Sequence, residues 1–341
     1  MSRLTAGAMR VVVTGGAGFI GTHSVDALIG DGHTVLVLDD LRHASWRPLA
    51  GAADLVTLDV STADARDVIA DFHPDAILHL SAQAGVNRSW REPVEDARSN
   101  VLGLISVLQA AVDAQCPRIV FASSGGALYG DTDRLPTPEE QPQRPRSPYG
   151  CAKASGEVYL FSFARAWGLS PLALRYGNVY GPGQDGTGEA GVVAISSLRL
   201  VDGEAPVVRG DGEQTRDFVF VGDVADANFR AVKSDCTGAV NIGTGRESSV
   251  AQVVEHLCRV AGFQGRPLSE PVPTGEVRRS CLDVARAATL LDWRAVTDLA
   301  TGLGSTFASF SNDSEAPSHR GLTRRQANDR SARLQSAPGA K

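Results

Sequence analysis

The sequence predicts an α/β protein whose doubly wound parallel sheet is followed by a smaller, mixed C-terminal lobe. Up to about residue 180, short β-branched runs alternate with longer helical patterns, which is the order of βαβ units. The strand-like runs are apolar almost throughout, as expected of strands that have helices on both faces. These runs lie at 10–15, 34–39, 55–59, 76–80, 118–123 and 172–177.

Helical patterns separate these strands, near residues 18–30, 62–71, 91–114 and 147–168. Later in the chain the pattern becomes irregular, with Gly/Pro loops, a strand at 238–243 and a helix near 249–261. We therefore expect a first domain over 1–176, with returning segments near 206–241, and a second lobe over 177–205 and 242–310.

The end of the chain, residues 311–341, is polar and has Leu322 and Leu334 as its only sizeable apolar side chains. Such a segment buries too little surface to offset the entropy of ordering it. The composition therefore predicts a disordered tail, with a basic interaction arm as the alternative.

Composition places the chain among soluble globular proteins, with 43% hydrophobic and 21% charged residues. A net charge of −6 gives no reason to expect a nucleic acid or an anionic membrane as partner. The five cysteines are scattered without C-x-x-C spacing, which favours reduced thiols over disulfides or a metal site. With no signal peptide and no membrane-spanning stretch, we expect a cytoplasmic protein.

A glycine-rich turn, VTGGAGFIG at 13–21, joins the first strand to the first helix. Gly15, Gly18 and Gly21 permit a tight turn, leave room for a pyrophosphate and let the helix pack closely on the strand. Glycines alone often mark only a turn, but Asp39 ends the next strand, where a carboxylate binds ribose hydroxyls and repels a 2′-phosphate. This context predicts a Rossmann-type site for NAD rather than NADP, with Phe19 and Ile20 at the start of the helix beside it.

A second motif, SPYGCAK at 147–153, places Tyr149 one helical turn before Lys153. Taken alone, such a pair is a surface i,i+4 contact. Together with the G-x-x-G-x-x-G spacing it resembles the extended short-chain dehydrogenase/reductase superfamily, in particular its NAD-dependent epimerase/dehydratase family, UDP-glucose 4-epimerase-like branch. The resemblance runs from about residue 10 to 310 and includes RYGNVYGPGQ at 175–184 and RGDGEQTRDFVFVGDVA at 209–225.

The resemblance implies two sets of binding residues. Beyond the glycine turn and Asp39, the expected NAD contacts are Asp40, Asp59, Val60, Leu80, Ser81, Ala82, Gln83, Asn100, Ser123, Tyr149, Lys153 and Tyr176. Asn100 is expected either to contact NAD or to order the site. The expected contacts to the nucleotide sugar are Val86, Ser124, Tyr149, Asn178, Val193, Arg209, Arg216 and Glu276. Arg216 has a local ion pair with Asp217 as its alternative role.

The chemistry expected of Tyr149 is removal of a proton from a sugar hydroxyl while the carbon below passes a hydride to NAD⁺. A tyrosine is a poor base, and we expect the Lys153 ammonium to lower the pKa of the phenol. The resemblance also implies that Lys153 holds the nicotinamide ribose.

Two departures from the family pattern bear on this chemistry. Where relatives have a catalytic Ser or Thr, this chain has Gly125, so we expect the hydroxyl of Ser124 to take that role. Ser123 is the second candidate, and a water molecule is the alternative. Where relatives have a phosphate-binding arginine, this chain has Pro273, so Arg216 acts alone or with Arg278 or Arg279. The small Ser280 is expected at C2 of the sugar, leaving room for an N-acetyl group.

The reaction follows from what the loop after the fifth strand lacks. Dehydratases need an acid–base pair where this chain has Gly126 and Ala127, and decarboxylases commonly have a Glu there. The resemblance to UDP-glucose 4-epimerase-like proteins then implies 4-epimerisation of a UDP-hexose with NAD. An NAD-dependent reductase or dehydrogenase and a non-catalytic NAD-binding protein are the alternatives. His79 is interpreted as a structural hydrogen-bonding residue, and relatives imply a homodimer through the helices at 91–114 and 147–168.

Overall fold

A computed structural model describes residues 7–45, 47, 49–187, 191–271 and 277–315. Its strands are β1 (Arg10–Thr14), β2 (Thr34–Asp39), β3 (Asp54–Thr57), β4 (Ala76–His79), β5 (Arg118–Ser124), β6 (Ser170–Tyr176), β7 (Asn178–Tyr180), β8 (Val207–Arg209), β9 (Thr215–Arg216), β10 (Phe218–Phe220), β11 (Gly238–Ile242), β12 (Ser248–Ser249) and β13 (Leu268–Glu270).

The helices surround and connect these strands. They are α1 (Phe19–Gly30), α2 (Ala63–Phe72), α3 (Val86–Arg91), α4 (Pro93–Ala97), α5 (Gly103–Asp113), α6 (Gly125–Leu128), α7 (Pro148–Trp167), α8 (Val192–Val201), α9 (Val221–Lys233), α10 (Val250–Ala261), α11 (Ala285–Leu290) and α12 (Leu299–Glu315), with a π-helical segment at Arg98–Leu102 between α4 and α5.

Seven strands form one parallel sheet in the order β11-β6-β5-β4-β1-β2-β3, which confirms the predicted Rossmann-type fold. β1 lies inside the sheet, next to its central strand β4, with Val11 paired to Val35 of β2 on one side and to Ala76 of β4 on the other. The chain leaves β1 in one direction and returns on its other side with β4. This reversal opens a crevice at the carboxyl ends of the strands, where ligands bind in such sheets.

Both faces of the sheet are covered, which explains the apolar strands. Val11 and Val13 face the core shared with α1 and α9, whereas Val12 faces the core shared with α2 and α5. Successive side chains of a strand point to opposite faces, so a strand buried on both sides needs apolar residues at every position.

The helix predicted over 91–114 is wrong as a single element. α3 ends before Pro93, which has no backbone N–H to continue the helix and instead starts α4. Five residues further on the helix widens into the π-helical segment before α5 begins. The predicted tail also begins too early, because α12 continues to Glu315. The remainder of that tail lies outside the described residues.

The smaller lobe is built on α8, α10 and α12, which pack on one another around Tyr180, Val193, Leu257 and Leu303. Three short strand pairs, β7 with β10, β8 with β13 and β9 with β12, connect the lobe to the sheet. A search of the described helices found none with the length and apolar character needed to cross a membrane. The five cysteines are all free thiols.

Candidate active site

The glycine turn between β1 and α1 is fixed by direct backbone contact. Gly15 has φ +70°, and a Cβ there would lie 2.6 Å from the backbone nitrogen of Ser81 in the loop after β4. A Cβ at Gly21 would lie 2.2 Å from the carbonyl oxygen of Gly15. Only glycine allows strand, turn, helix and neighbouring loop to approach this closely. The N-terminal N–H groups of α1, which begins at Phe19, are left open to an anion.

Asp39, at the end of β2, stabilises this turn through hydrogen bonds to its backbone. Its buried carboxylate accepts hydrogen bonds from the backbone N–H groups of Ala17 (3.0 Å) and Leu41 (2.8 Å), one on each oxygen. Burial raises the pKa of Asp39. Each carboxylate oxygen keeps acceptor capacity for a ribose hydroxyl. At the more exposed rim, Arg42 pairs with Asp40 and, at 3.1 Å, with Asp59.

The loop after β4 is ordered by Asn100. The Gln83 backbone N–H donates to Asn100 Oδ1 (3.0 Å), and Asn100 Nδ2 donates to the Gln83 carbonyl (2.9 Å). Of the two expected roles for Asn100, the structure therefore supports ordering of the site. His79, at the end of β4, shares a 2.7 Å hydrogen bond between its Nδ1 and Thr14 Oγ1, which supports its structural interpretation.

Tyr149 and Lys153 lie in the first turns of α7, where Ser147 caps the helix by accepting from Gly150 N. Lys153 is buried and donates to the Ala122 carbonyl on β5 at 2.9 Å. Its Nζ lies 5.8 Å from the ring centre of Tyr149. The predicted pair is therefore directed at the end of β5 and is not a surface contact.

The pKa of Tyr149 lies above its ordinary value because burial dominates it, and the expected effect of Lys153 on the phenol stays a prediction. Burial raises the pKa of Tyr149 to about 12, and a side-chain hydrogen bond with Ser124 opposes that rise. Burial lowers the pKa of Lys153 to about 8, because a buried ammonium loses its hydration.

The two candidate serines point in opposite directions from the end of β5. Ser124 hydrogen-bonds Tyr149, whereas Ser123 donates to Glu157 Oε1 at 2.7 Å. Because neighbouring residues of a strand face opposite sides, the Ser123 hydroxyl faces Glu157 and leaves Ser124 as the candidate beside Tyr149, while the expected contact of Ser123 with NAD stays a prediction. Gly125 has no room for a side chain, since a Cβ would lie 2.7 Å from both methyl carbons of Leu282.

A buried network that the sequence analysis missed supports this region from behind. Arg175 on β6 donates to both oxygens of Glu157 on α7, at 2.9 and 2.6 Å, and to the Tyr129 hydroxyl at 2.9 Å. Tyr129 in turn donates to Asn241 on β11 at 2.8 Å. Tyr176 ends β6, where its hydroxyl donates to Asn228 at 2.6 Å. The network ties β5, β6, β11 and α7 together.

A cavity of about 300 Å³ in the smaller lobe gathers four predicted substrate residues: Asn178, Val193, Arg209 and Arg216. It also contains residues that the sequence analysis missed, among them Tyr180, Gln184, Gln214 and Phe218. All four lie inside the motifs recognised at 175–184 and 209–225, and that position is the signal that could have indicated them. Of the other predicted substrate residues, Val86 begins α3 directly after the 80–85 loop, and Glu276 lies outside the described residues.

Asp217 acts as a backbone anchor. Its fully buried carboxylate accepts from the N–H groups of Thr244 (2.7 Å), Gly245 (3.1 Å) and Leu282 (3.2 Å). Its own carbonyl accepts from Asn178 N at 2.7 Å. Asp217 thereby holds together the segments that carry Asn178 and Arg216.

The two arginines considered as replacements for the residue at Pro273 already have acidic partners. Arg278 binds both oxygens of Asp211, at 2.8 and 2.9 Å. Arg279 likewise binds both oxygens of Glu247. Ser280 is buried, and its N–H donates to the Thr215 carbonyl at 3.2 Å, directly beside Arg216 in sequence. Pro273 itself lies outside the described residues.

Residues 11–243 match the model of the NAD dependent epimerase/dehydratase family, and the chain belongs to this family. It is 41% identical to the UDP-glucose 4-epimerase of Mycolicibacterium smegmatis, over 90% of this chain and 100% of that protein. The structure of UDP-glucose 4-epimerase from Thermotoga maritima, solved with UDP-glucose, superposes with a TM-score of 0.87 at 41% identity, covering 89% of this chain and 99% of that one.

Other relatives bear on the cofactor and on the substrate. The Thermus thermophilus UDP-glucose 4-epimerase, solved with NAD, gives a TM-score of 0.84 at 37% identity and covers 89% of this chain and 99% of that one. A UDP-N-acetylglucosamine 4-epimerase from Methanobrevibacter ruminantium gives 0.85 at 32% identity, covering 90% and 100%. The chain is therefore UDP-glucose 4-epimerase-like within the NAD-dependent epimerase family, and its relatives act on more than one sugar.

The residues of this chain fit NAD. The turn at Gly15 and Gly21 is a cradle that a single Cβ would fill, and α1 offers its N-terminus above it. Asp39 lies at the end of the adjacent strand and Lys153 beside Tyr149. Within the described ranges, no cluster of His, Cys, Asp or Glu could hold a metal ion.

Proposed function

We propose that the protein interconverts UDP-glucose and UDP-galactose by oxidising C4 of the sugar to a ketone and reducing it again on the opposite face. The observation that carries this proposal is the placement of Ser124 at the end of β5 and of Tyr149 and Lys153 on α7 together at the carboxyl edge of the sheet that also holds the glycine turn. A reacting hydroxyl there would have a base and a hydrogen-bonding partner next to the cofactor site.

Tyr149 takes the proton from the hydroxyl at C4 and returns it when the ketone is reduced. The Ser124 hydroxyl hydrogen-bonds the same oxygen and holds it against the phenol. Bound NAD supplies the acceptor, and then the donor, of the hydride. Because burial raises the pKa of Tyr149, proton removal depends on a nearby positive charge, and the Lys153 ammonium provides one while holding the nicotinamide ribose.

The cavity of the smaller lobe would hold the nucleotide. Arg216 offers a guanidinium group suited to diphosphate oxygens, and Asn178 offers a neutral amide donor. Arg209 lies in the same cavity and donates to Glu270 at 3.3 Å. Since Arg278 and Arg279 are held by carboxylates, Arg216 is the principal diphosphate contact in this proposal.

Incubation of the purified protein with UDP-galactose, without added cofactor, tests the function. We expect UDP-glucose to form at equilibrium while the bound cofactor remains oxidised overall. Accumulation of NADH with a sugar product at a different oxidation level would indicate the dehydrogenase alternative. Bound NAD without any turnover would indicate the non-catalytic alternative.

We also propose that N-acetylated sugars are substrates, because the small Ser280 is expected near C2 of the sugar. The comparison of turnover for UDP-glucose and UDP-N-acetylglucosamine tests this extension. Good activity on the glucose form beside none on the N-acetyl form would remove it and leave the main proposal intact.

A homodimer is the expected assembly. Among the described residues, seven of the twelve exposed large hydrophobic side chains lie on α3, α4, the π-helical segment and α7, which pack against each other: Val86, Trp90, Val94, Leu102, Val158, Tyr159 and Trp167. A second copy would bury this apolar surface. Light scattering should give a dimer mass for the wild type and for Val296→Asp, and a monomer mass for Val158→Asp. A wild-type monomer would rule the dimer out.

The free thiols also support the expected cytoplasmic location, since a reducing compartment keeps such groups unpaired. Fractionation of expressing cells, with detection of the untagged protein, tests this location. Recovery from a membrane or extracellular fraction would contradict it.

A further inference from the structure

One buried carboxylate beside the active site has no part in the mechanism given above. Asp96 on α4 is 1% exposed. α4 and the π-helical segment both pack against α7, the helix that carries Tyr149 and Lys153. A carboxylate is unfavourable in such a position unless hydrogen bonds or a nearby cation stabilise its charge.

The hydrogen bonds of Asp96 fix the position of its carboxylate but do not compensate its negative charge. Its Oδ1 accepts from Gln83 Nε2 at 2.8 Å and from Asn100 Nδ2 at 3.0 Å, and both donors are uncharged amides. Asn100 lies in the π-helical segment, a form of helix often found at functional sites. Through these contacts Asp96 is linked to the 80–85 loop that packs on the glycine turn.

Lys153 is the opposite case, a buried side chain with a positive charge. The residue is 3% exposed, and its ammonium donates a hydrogen bond to the neutral carbonyl of Ala122. In the described part of the chain no carboxylate forms an ion pair with it. Burial lowers the pKa of Lys153, whereas the negative charge of Asp96 raises it. The same charge raises the pKa of Tyr149.

The other titratable groups around Lys153 do not replace this charge. His79 on β4 has a pKa lowered to about 3 by burial, so it is neutral at physiological pH. Tyr149 on the same helix and Tyr176 on β6 are uncharged there, because burial raises the pKa of both phenols. Glu157, one turn further along α7, is paired with Arg175.

We propose that Asp96 is a positioning residue whose charge keeps the buried Lys153 ammonium protonated beside Tyr149, and whose hydrogen bonds fix the 80–85 loop. The consequence for catalysis rests on the proposed function. The effect on Lys153 does not, so the two are tested separately.

The titration of Lys153 can be followed directly, because the chain has three lysines: Lys153, Lys233 and Lys341. Lysine labelled with ¹³C at Cε gives three signals, and Lys153→Arg assigns one of them. We expect a midpoint near pH 8 for Lys153, and in Asp96→Asn a midpoint lowered by about one unit. Asp67→Asn, which removes an exposed charge on α2, should leave the midpoint unchanged.

Two further variants separate charge from hydrogen bonding. Asn100→Ala removes a hydrogen bond of Asp96 but keeps its charge, and the Lys153 midpoint should stay close to that of the wild type. Asp96→Ser provides the uncharged comparison if Asp96→Asn does not fold. An unchanged midpoint in the uncharged variants would overturn the proposal, as would an equal shift in Asn100→Ala.

The pH profile of kcat/KM provides the functional test. Loss of the negative charge lowers the pKa of Tyr149 and of Lys153, so both limbs of the profile should move to lower pH in Asp96→Asn. A purely structural role would lower the whole profile without moving its limbs, which would overturn the catalytic part. If the wild type has no epimerase activity, the proposed function fails while the lysine titration still decides the role of Asp96.

Discussion

The cofactor half and the substrate half of this protein position their residues in different ways. In the cofactor half, Gly15, Asp39 and Ser124 lie at or directly after the ends of strands in one parallel sheet, so the sheet register sets their spacing. In the substrate half, Asn178 and Arg216 lie on strands of two or three residues that belong to separate pairs. There, a single buried carboxylate, Asp217, connects the segments. In the sheet, many hydrogen bonds between strands fix where the site residues lie. In the lobe, the positions of Asn178 and Arg216 depend on the hydrogen bonds of one residue, Asp217.

The largest effect is expected at the point where the two halves meet. Tyr149→Phe removes the proton-accepting group and should lower kcat by roughly 10²- to 10⁴-fold, the usual contribution of general acid–base catalysis. Steady-state turnover of UDP-galactose measures it. Tyr159→Phe, an exposed tyrosine on the same helix, serves as control. Turnover of the Tyr149 variant at the wild-type rate would eliminate the proposed mechanism.

Within the cofactor half, Gly15→Ala should disturb NAD binding strongly. The new methyl group would lie 2.6 Å from Ser81 N, at a φ of +70° that alanine rarely adopts. We expect a loss of roughly 1–3 kcal/mol in the free energy of unfolding and a weaker NAD affinity, measured by thermal unfolding and calorimetry. Gly30→Ala is the matched control, because a Cβ there meets nothing within 4 Å. Equal behaviour of both variants would show that the turn is not constrained.

The contrast between the halves is sharpest for Asp217→Asn. The amide would place N–H groups opposite the Gly245 and Leu282 N–H groups, which now donate to Oδ2. We expect a KM for the nucleotide sugar about tenfold higher, which corresponds to about 1.4 kcal/mol, and an NAD affinity close to that of the wild type. Asp235→Asn, on the surface, controls for the loss of charge. A parallel loss of NAD affinity would mean that the halves are not independently positioned.

The smallest effect is expected for Arg278→Ala. Its ion pair with Asp211 is exposed on both sides, and pairs of this kind contribute about 0–1 kcal/mol. KM and the midpoint of thermal unfolding should therefore change little. A large increase in KM would instead show that Arg278 leaves Asp211 to bind the diphosphate, as the alternative at Pro273 suggested.

Sequence reasoning recovered the sheet well, because strands buried on two faces carry an unmistakable run of apolar residues. It preferred Ser124 over Ser123 from position alone, whereas the structural reason for that preference is which face of β5 meets α7. It missed Asp96 and took Asp217 as a possible partner of Arg216. An acidic residue among polar neighbours has the same appearance in sequence whether it faces solvent or a buried amide. The partners of Asp217 come from segments 27 to 65 positions away.

The contact between Gly125 and Leu282 links two positions that are 157 apart in sequence, because Leu282 fills the space where a side chain at 125 would stand. Engineering the hydroxyl back to its customary place in the family would thus require a double exchange, Gly125→Ser with Leu282→Ala. Either replacement made alone would create a clash or a void. The size of the side chain at position 125 is thus coupled sterically to that of a distant aliphatic residue.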